Sequence, residues 1–230
     1  MLQAARPTLY LLVSGLTAWV YLSSKGPFGA ALVRTQWLGL LATGLLYLAL
    51  LPGPLYAVLP RAPGKTLFLH LRRALGVSSA VLAVLHGYDG LFGWVGGLEG
   101  LDVWSWDYQL SLLLGALASG ILLVLAATST DATVRALGTR WKRLHRWVYA
   151  AGVLIYAHMA IITIHVVSLR PWLVGSFVLL GGLLLLEALR LHQRAAASTQ
   201  PRWAWGLWPA FVLACGLAYW SHFLISHHRH

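Results

Sequence analysis

Long, continuously apolar segments recur along the chain, and short polar segments separate them. Several of these segments reach the roughly 18 to 20 residues needed to cross a bilayer. Their apolar residues are continuous and do not alternate with polar ones, so the pattern predicts helices and not the strands of a β-barrel. The predicted spans are 8–24, 36–52, 74–91, 108–127, 147–168, 172–189 and 204–223. We therefore expect an all-α, polytopic membrane helix bundle.

One polar segment, 195–202, divides this predicted bundle. Before it lie six spans, so we expect a six-helix domain over 1–194. From 195 to 230 we expect a linker, a seventh transmembrane helix and a short histidine-rich tail. The overall composition agrees: 59% of the 230 residues are hydrophobic and 10% are charged, whereas soluble domains carry about 25% charged residues.

The distribution of charge predicts the orientation of the bundle. If the N-terminus is cytoplasmic, 13 of the 17 Lys and Arg residues lie on the cytoplasmic side, as the positive-inside rule requires. Four of the six acidic residues then fall in a single outer loop, 89–109. The net charge of +11 is explained by this topology and by anionic lipids on the cytoplasmic face, so it does not indicate a nucleic-acid partner.

Two histidines are predicted to lie at the same depth in the membrane. His86 follows Arg73, at the inner edge of the third span, by 13 residues, and His158 follows Arg146, at the inner edge of the fifth span, by 12. At 1.5 Å per residue, both lie roughly 18–20 Å from the inner edge of the bilayer core. Two imidazoles at one depth on two parallel helices can hold one metal between them.

Bis-imidazole ligation between membrane helices is typical of b-type haem, and it favours electron transfer because it leaves no open coordination position. Zinc is a weaker interpretation, since it requires four ligands and this layer offers two imidazoles. A single histidine in a span is often only a hydrogen-bonded helix contact. Geometry also leaves His165 open as a ligand, because it lies seven residues after His158 and nearly on the same helix face.

A second pair of histidines, His70 and His145, is predicted near the inner membrane edge on the same two spans. This pair could hold an inner haem, with Arg72 or Arg73 beside the propionates. The geometry is less favourable here. His145 and His158 are 13 residues apart, which on one ideal helix places them about 140° apart around the axis.

Two segments carry a family resemblance: "RRALGVSSAVLAVLHGY" (72–88) and "TSTDATVRALGTRWKRLHRWVYAAGVLIYAH" (128–158). They resemble the ferric-reductase-type transmembrane domain. Within it, they are most similar to the haem-binding membrane subunit of the periplasmic methionine sulfoxide reductase system. The resemblance covers about 36–190 of this chain, and the string "TST…LG.RW..LH..VY" is its most specific part.

The resemblance implies that His86, His145 and His158 are haem-associated, and it places Arg72 or Arg73 where two-haem relatives carry a further histidine. It implies a bacterial inner-membrane subunit of an oxidoreductase that passes electrons to a periplasmic partner. The family is linked to quinone and to flavin mononucleotide. The chain itself has no G-x-G-x-x-G motif after a strand, so we expect electrons from membrane quinol or from a separate flavoprotein.

The loop from Thr128 to His145 is the predicted donor-side segment. One of three residues is expected to cap a short helix there: Ser129, Thr130 or Asp131. Arg135 and Arg140 could bind a phosphate group, or the basic loop could rest on lipid headgroups. The tryptophans of the outer loop, Trp94, Trp104 and Trp106, are interpreted as an interfacial belt or as a docking face. The alternative functions are a self-sufficient ferric or quinone reductase and a non-redox transporter or accessory subunit.

Overall fold

The computed structural model describes residues 2–24, 29–165 and 170–196, and the regular elements within these ranges are all helical. In chain order they are α1 (Leu2–Ser23), α2 (Gly29–Leu50), α3 (Pro52–Val58), α4 (Lys65–Tyr88), a π-helical turn (Asp89–Val95), a 3-10 turn (Glu99–Val103), α5 (Trp106–Ala127), α6 (Asp131–Leu137), α7 (Thr139–Leu144), α8 (Trp147–His165) and α9 (Arg170–Ala196).

The predicted all-α membrane bundle is confirmed over these ranges, because the six long helices correspond to the first six predicted spans. Five helical segments in the described part are long and apolar enough to cross a membrane: Ala30–Val58, Lys65–Val95, Trp106–Ala127, Thr139–Thr163 and Val174–Gln193. The chain is therefore a multi-pass membrane protein. The cytoplasmic N-terminus and the count of seven spans stay predictions; the seventh span and the histidine-rich tail lie outside the described residues.

The chain divides into two compact units, one formed by 1–52 and 64–173 and the other by 53–63 and 174–230. In the first unit α4 packs against α1, α2 and α5, and α5 packs against α8. Its core is apolar and contains several alanines, which allow the helices to approach closely. The fully buried core residues include Val20 on α1, Leu38 on α2, Leu82 on α4 and Ala151 on α8.

Polar contacts between these helices are made by small hydroxyl side chains. The Oγ of Ser79 on α4 donates to the carbonyl of Ala42 on α2 at 2.8 Å, and Ser79 is fully buried. Because lipid offers no hydrogen-bond partners, such a contact satisfies the hydroxyl and fixes the register of α4 on α2. This register determines which residues of α2 face the histidine of α4.

The described part of the second unit contains most of α3 and α9. Within it, Arg190 NH1 lies 3.1 Å from the carboxylate of Glu187 on the same helix, and the hydroxyl of Tyr56 donates to the carbonyl of Pro63 at 2.9 Å. The predicted domain boundary at 194/195 lies at the end of α9 and stays a prediction.

Candidate functional site

His86 lies near the outer end of α4, as the order of helices predicts, and its ring is held by α2. Its Nδ1 is 2.7 Å from the carbonyl oxygen of Thr35. A carbonyl only accepts hydrogen bonds, so Nδ1 carries the proton and Nε2 keeps its lone pair. The ring also lies directly on Gly39, where an added Cβ would be 2.9 Å from the ring atoms Cε1 and Nδ1. A glycine is required at this position to leave space for the imidazole.

His158 on α8 is held by α5 in the same manner. Its Nδ1 is 2.8 Å from the carbonyl oxygen of Ser111, which again leaves Nε2 with a lone pair. The Oγ of Ser111 lies 3.1 Å from the carbonyl oxygen of His158, to which it can donate. A Cβ added at Gly115, one turn further along α5, would lie 3.1 Å from Nδ1 of His158. Each histidine is thus matched by one carbonyl and one glycine of a neighbouring helix.

The rings of His86 and His158 lie next to each other in the interior of the first unit. Their centroids are 5.9 Å apart and their planes are inclined by 81°. Both rings line an open cavity of about 90 Å³ between α2, α4, α5 and α8. Its other walls are mostly small or apolar: Gln36, Gly39, Leu40, Ala42, Thr43, Ser79, Ala83, Gly115, Ala118, Ser119, Leu122, Ile155, Met159, Ile162 and Thr163.

This arrangement has the features of a two-imidazole metal site. Metal–nitrogen bonds to histidine of about 2.0–2.1 Å place the centroids of two opposed rings roughly 6 Å apart, close to the distance found here. Ligating histidines usually donate their other ring nitrogen to a carbonyl or carboxylate, as both do. Among the described residues, no group of three or more His, Cys, Asp or Glu side chains could hold a metal ion, so a four-ligand zinc site has no support there.

His165, the alternative ligand on α8, has another partner. Its Nε2 lies 2.9 Å from Oδ2 of Asp107 at the start of α5. Its ring lies nearly perpendicular to the ring of Tyr108, with centroids 5.3 Å apart. It does not line the cavity between His86 and His158. The family resemblance implies His158 rather than His165, and the contacts of His165 with Asp107 and Tyr108 are in keeping with it.

On the inner side, His145 lies at the end of α7 and stacks on Trp141, with ring centroids 3.9 Å apart. Its Nδ1 is 3.2 Å from the carbonyl of Trp141 and its Nε2 is 3.3 Å from Oγ of Ser129. Trp141 is itself fixed, because its indole nitrogen donates to the carbonyl of Thr128 at 2.9 Å. The inner ring is therefore oriented by the α5–α7 connection.

The other predicted inner residues have separate environments. Nε2 of His70 is buried and has no hydrogen-bond partner within the described part of the chain, and no ring contact joins His70 to His145 there. Arg72 donates to the carbonyl of Ala49 at 3.0 Å. Arg73 lies 2.6 Å from Asp131 and donates to the carbonyl of Ser129 at 3.3 Å.

A second cavity, of about 130 Å³, opens beside this region. It is lined by Arg6, Tyr10, Arg73, Ala74, Val77, Ser129, Thr130 and Asp131. The predicted cap of a short helix is confirmed here, since the side chain of Thr130 accepts from the backbone nitrogen of Thr133 at 3.2 Å. The Arg73 guanidinium, which hydrogen-bonds to Asp131, lowers the pKa of that carboxyl. Arg135 and Arg140 are exposed.

The outer loop brings aromatic rings together. Trp104 stacks on Tyr108 with centroids 4.2 Å apart and contacts Trp94 at 6.1 Å, whereas Trp106 is 76% exposed. Trp94 and Trp104 therefore help to order the loop, and Trp106 alone presents most of its surface outward. This arrangement fits an interfacial belt as well as a docking face.

Comparison with known proteins identifies the family to which the chain is similar. Residues 38–156 match the model of the ferric reductase like transmembrane component. A heme-binding subunit MsrQ of a protein-methionine-sulfoxide reductase from Azospira oryzae is 32% identical over 164 residues, covering 69% of this chain and 67% of that protein. The subunit of the same name from Yersinia pseudotuberculosis is 34% identical over 153 residues, covering 65% and 70%.

No solved structure matches the chain. The family match spans just over half of the chain, from Leu38 on α2 to Tyr156 on α8. It includes His86 and His145 and ends two residues before His158, while the alignments to the named subunits are longer. The resemblance expected from the sequence is thereby confirmed: the chain belongs to the family of the ferric reductase like transmembrane component.

Proposed function

We propose that this chain is a haem b-binding electron-transfer subunit of the bacterial inner membrane, with His86 and His158 as the two ligands of one haem. The observation that carries the proposal is the pair of neighbouring imidazoles, with ring centroids 5.9 Å apart, each with Nδ1 bonded to a backbone carbonyl. The names of the similar proteins, which are heme-binding subunits, support the same assignment.

The residues around the pair fit this cofactor. Two neutral imidazoles supply two nitrogen ligands, and the apolar cavity between the four helices supplies an environment for a flat, largely apolar ring system. Haem held by His86 and His158 would supply reversible one-electron transfer rather than oxygen chemistry. The chain orients the ligands through Thr35 and Ser111, and Gly39 and Gly115 make space for their rings.

For the inner side we propose His145 as the group next to the electron donor. Helix α4 offers three further groups at this level, His70, Arg72 and Arg73, and the connection before His145 carries Arg135 and Arg140. A second haem at this level would complete a path across the membrane.

The proposed electron donor is membrane quinol or a separate flavoprotein, and the cavity beside Arg6, Tyr10 and Arg73 is the candidate donor site. Its guanidinium and hydroxyl groups can donate hydrogen bonds to quinone oxygens or to a flavin phosphate. The proposed acceptor is the catalytic subunit of a periplasmic methionine sulfoxide reductase, in keeping with the names of the similar subunits.

A reduced-minus-oxidised spectrum of the purified protein tests the haem assignment. We expect the sharp bands of low-spin, bis-histidine haem, and we expect them to be lost in His86→Ala and in His158→Ala. The matched control is His165→Ala, which removes an imidazole from the same helix as His158. His165 is paired with Asp107, so this variant should keep the bands. A colourless wild-type protein from haem-replete cells would contradict the proposal.

The alternative redox function is a self-sufficient ferric or quinone reductase, which the family match alone also permits. The two are separated by mixing dithionite-reduced protein with a ferric chelate, with a quinone, or with a methionine sulfoxide reductase catalytic subunit. Rapid reoxidation by the catalytic subunit alone supports the subunit function. A non-redox transporter or accessory protein would show no reoxidation because it would hold no haem.

A further inference from the structure

Arg34 and Asp89 form a partly buried ion pair at the outer end of the histidine layer. Nε of Arg34 on α2 lies 3.3 Å from Oδ2 of Asp89, and the two side chains are 22% and 8% exposed. The ring of Tyr21 lies 5.4 Å from the guanidinium carbon of Arg34, and its hydroxyl lies close to Asp89. A buried ion pair is weak evidence for stability, because desolvation offsets the attraction, so a functional explanation is warranted.

Both residues of the ion pair lie close to His86 or to its hydrogen-bond partner along the chain. On α2, Thr35 follows Arg34 directly, and the Thr35 carbonyl is the acceptor for Nδ1 of His86 at 2.7 Å. On the other element, Asp89 lies three residues after His86, where α4 passes into the π-helical turn. Gly90 packs beside Thr35, since an added Cβ would lie 3.4 Å from its methyl group. The ion pair therefore clamps α2 to α4 next to the hydrogen bond of His86.

This hydrogen bond affects any metal that His86 holds. Donation of the Nδ1 proton to a carbonyl makes the ring a stronger electron donor through Nε2, and such outer partners tune the metal. A stronger donor stabilises the oxidised iron and lowers the reduction potential. If the carbonyl moves away from Nδ1, the potential should rise.

We propose that Arg34 and Asp89 are positioning residues that hold the Thr35 carbonyl against His86 and thereby lower the reduction potential of the haem bound there. The inference rests on the proposed function, because it requires haem on His86. It assigns the ion pair a role in tuning the cofactor, whereas Arg34 and Asp89 do not themselves bind iron.

The signs of two potential shifts distinguish positioning from direct electrostatics. A direct effect of charge would raise the potential in Asp89→Asn, which removes a negative charge, and lower it in Arg34→Gln, which removes a positive one. Positioning predicts a rise in both, because either substitution loosens the same hydrogen bond. We expect a rise of about 59 mV, which is a tenfold change in the ratio of reduced to oxidised haem for a one-electron couple.

The experiment is a potentiometric titration of the haem-loaded protein, following the spectral component that is absent from His86→Ala. The low-spin ferric resonance spectrum is recorded in parallel, since it reports the geometry of the axial ligands. The matched control is Asp102→Asn, which changes one charge at an exposed position of the same outer loop and should leave both readouts unchanged.

Upward shifts in both Arg34→Gln and Asp89→Asn, with a changed resonance spectrum, support the proposal. Shifts of opposite sign, or no shift in either variant, overturn it. If either variant fails to assemble, Tyr21→Phe removes one hydroxyl from the cluster and should give a smaller shift in the same direction; an unshifted Tyr21→Phe then overturns the proposal. A wild-type protein without haem would instead contradict the proposed function.

Discussion

The substitution Gly39→Ala tests the space around His86 most directly. The added methyl group would lie 2.9 Å from both Cε1 and Nδ1 of the His86 ring, whereas non-bonded carbon atoms prefer about 3.5–4.0 Å. Both contact atoms belong to a rigid ring whose Nδ1 is already bonded to the Thr35 carbonyl. The ring must therefore move away from α2, and the hydrogen bond to Thr35 must lengthen.

The expected magnitude follows from the cost of overpacking a tightly packed site, about 1–3 kcal/mol. In the haem-free protein the His86 ring can rotate to avoid the methyl group, but in the loaded protein it is fixed by the metal. The cost therefore falls on the bound state and should weaken haem binding by about 5- to 150-fold. Gly115→Ala should have a smaller effect, since its Cβ would lie 3.1 Å from the His158 ring.

The assay is haem content per chain after purification, together with the rate of haem loss to an excess of another apo-haem protein. Gly44→Ala on α2 and Gly120→Ala on α5 are the matched controls, because an added Cβ meets nothing within 4 Å at either position. Both controls should keep wild-type haem, and a helical alanine in place of glycine should stabilise them. Wild-type haem affinity in Gly39→Ala, or equal losses in Gly39→Ala and Gly44→Ala, would refute the reasoning.

Two further predictions concern the end of the bundle that carries His145 and Asp131. If His145 holds a second haem, pyridine haemochrome quantitation should give two haems per wild-type chain and one in His145→Ala; a ratio of one in both would assign His145 to the donor site instead. The second concerns Asp131, whose pKa is lowered first by its hydrogen bond from Arg73. Its stabilising contribution is present above the usual aspartate pKa of about 3.9 and is lost as the pH falls through the lower folded-state value. Limited proteolysis of the α5–α6 connection should therefore accelerate in strong acid, and Asp131→Asn should be equally susceptible already at neutral pH. The effect should be small and salt-sensitive because this carboxylate is exposed; a variant that stays as resistant as wild type at neutral pH contradicts it.

Hydropathy predicted the helices well because lipid leaves a membrane-spanning chain few alternatives to the helix. The spans 108–127 and 147–168, for example, closely match α5 (Trp106–Ala127) and α8 (Trp147–His165). The depth of His86 and His158 could also be estimated, since residues on parallel helices advance by the same 1.5 Å. Depth alone does not show in which direction each imidazole points, because that depends on the rotation of each helix about its own axis.

The partners of the histidines could not be predicted for the same reason. Thr35 and Ser111 act through backbone carbonyls, which every residue possesses, so no sequence pattern marks them. Gly39 and Gly115 stand among many glycines of the spans, and only contact with a ring separates them from Gly44. Two glycines placed opposite two histidines are a signal that a model of helix packing can use and a single sequence cannot.

The chain turns between α7 and α8, so His145 and His158 do not lie on one continuous helix. The angle of about 140° between His145 and His158 assumes one continuous helix, but α7 ends at Leu144 and α8 begins at Trp147. That angle therefore does not apply.

Helix α4 is continuous from Lys65 to Tyr88, so the same calculation is valid there. His70 precedes His86 by 16 residues and lies about 160° from it around the axis. Arg72 precedes His86 by 14 residues and lies about 40° from it, and it interacts electrostatically with His145. The inner group on the His86 face of α4 is thus a guanidinium, which suits a haem propionate. A second haem should therefore survive His70→Ala and be weakened in Arg72→Gln; haem loss in His70→Ala alone would show that α4 is rotated or bent between the two layers.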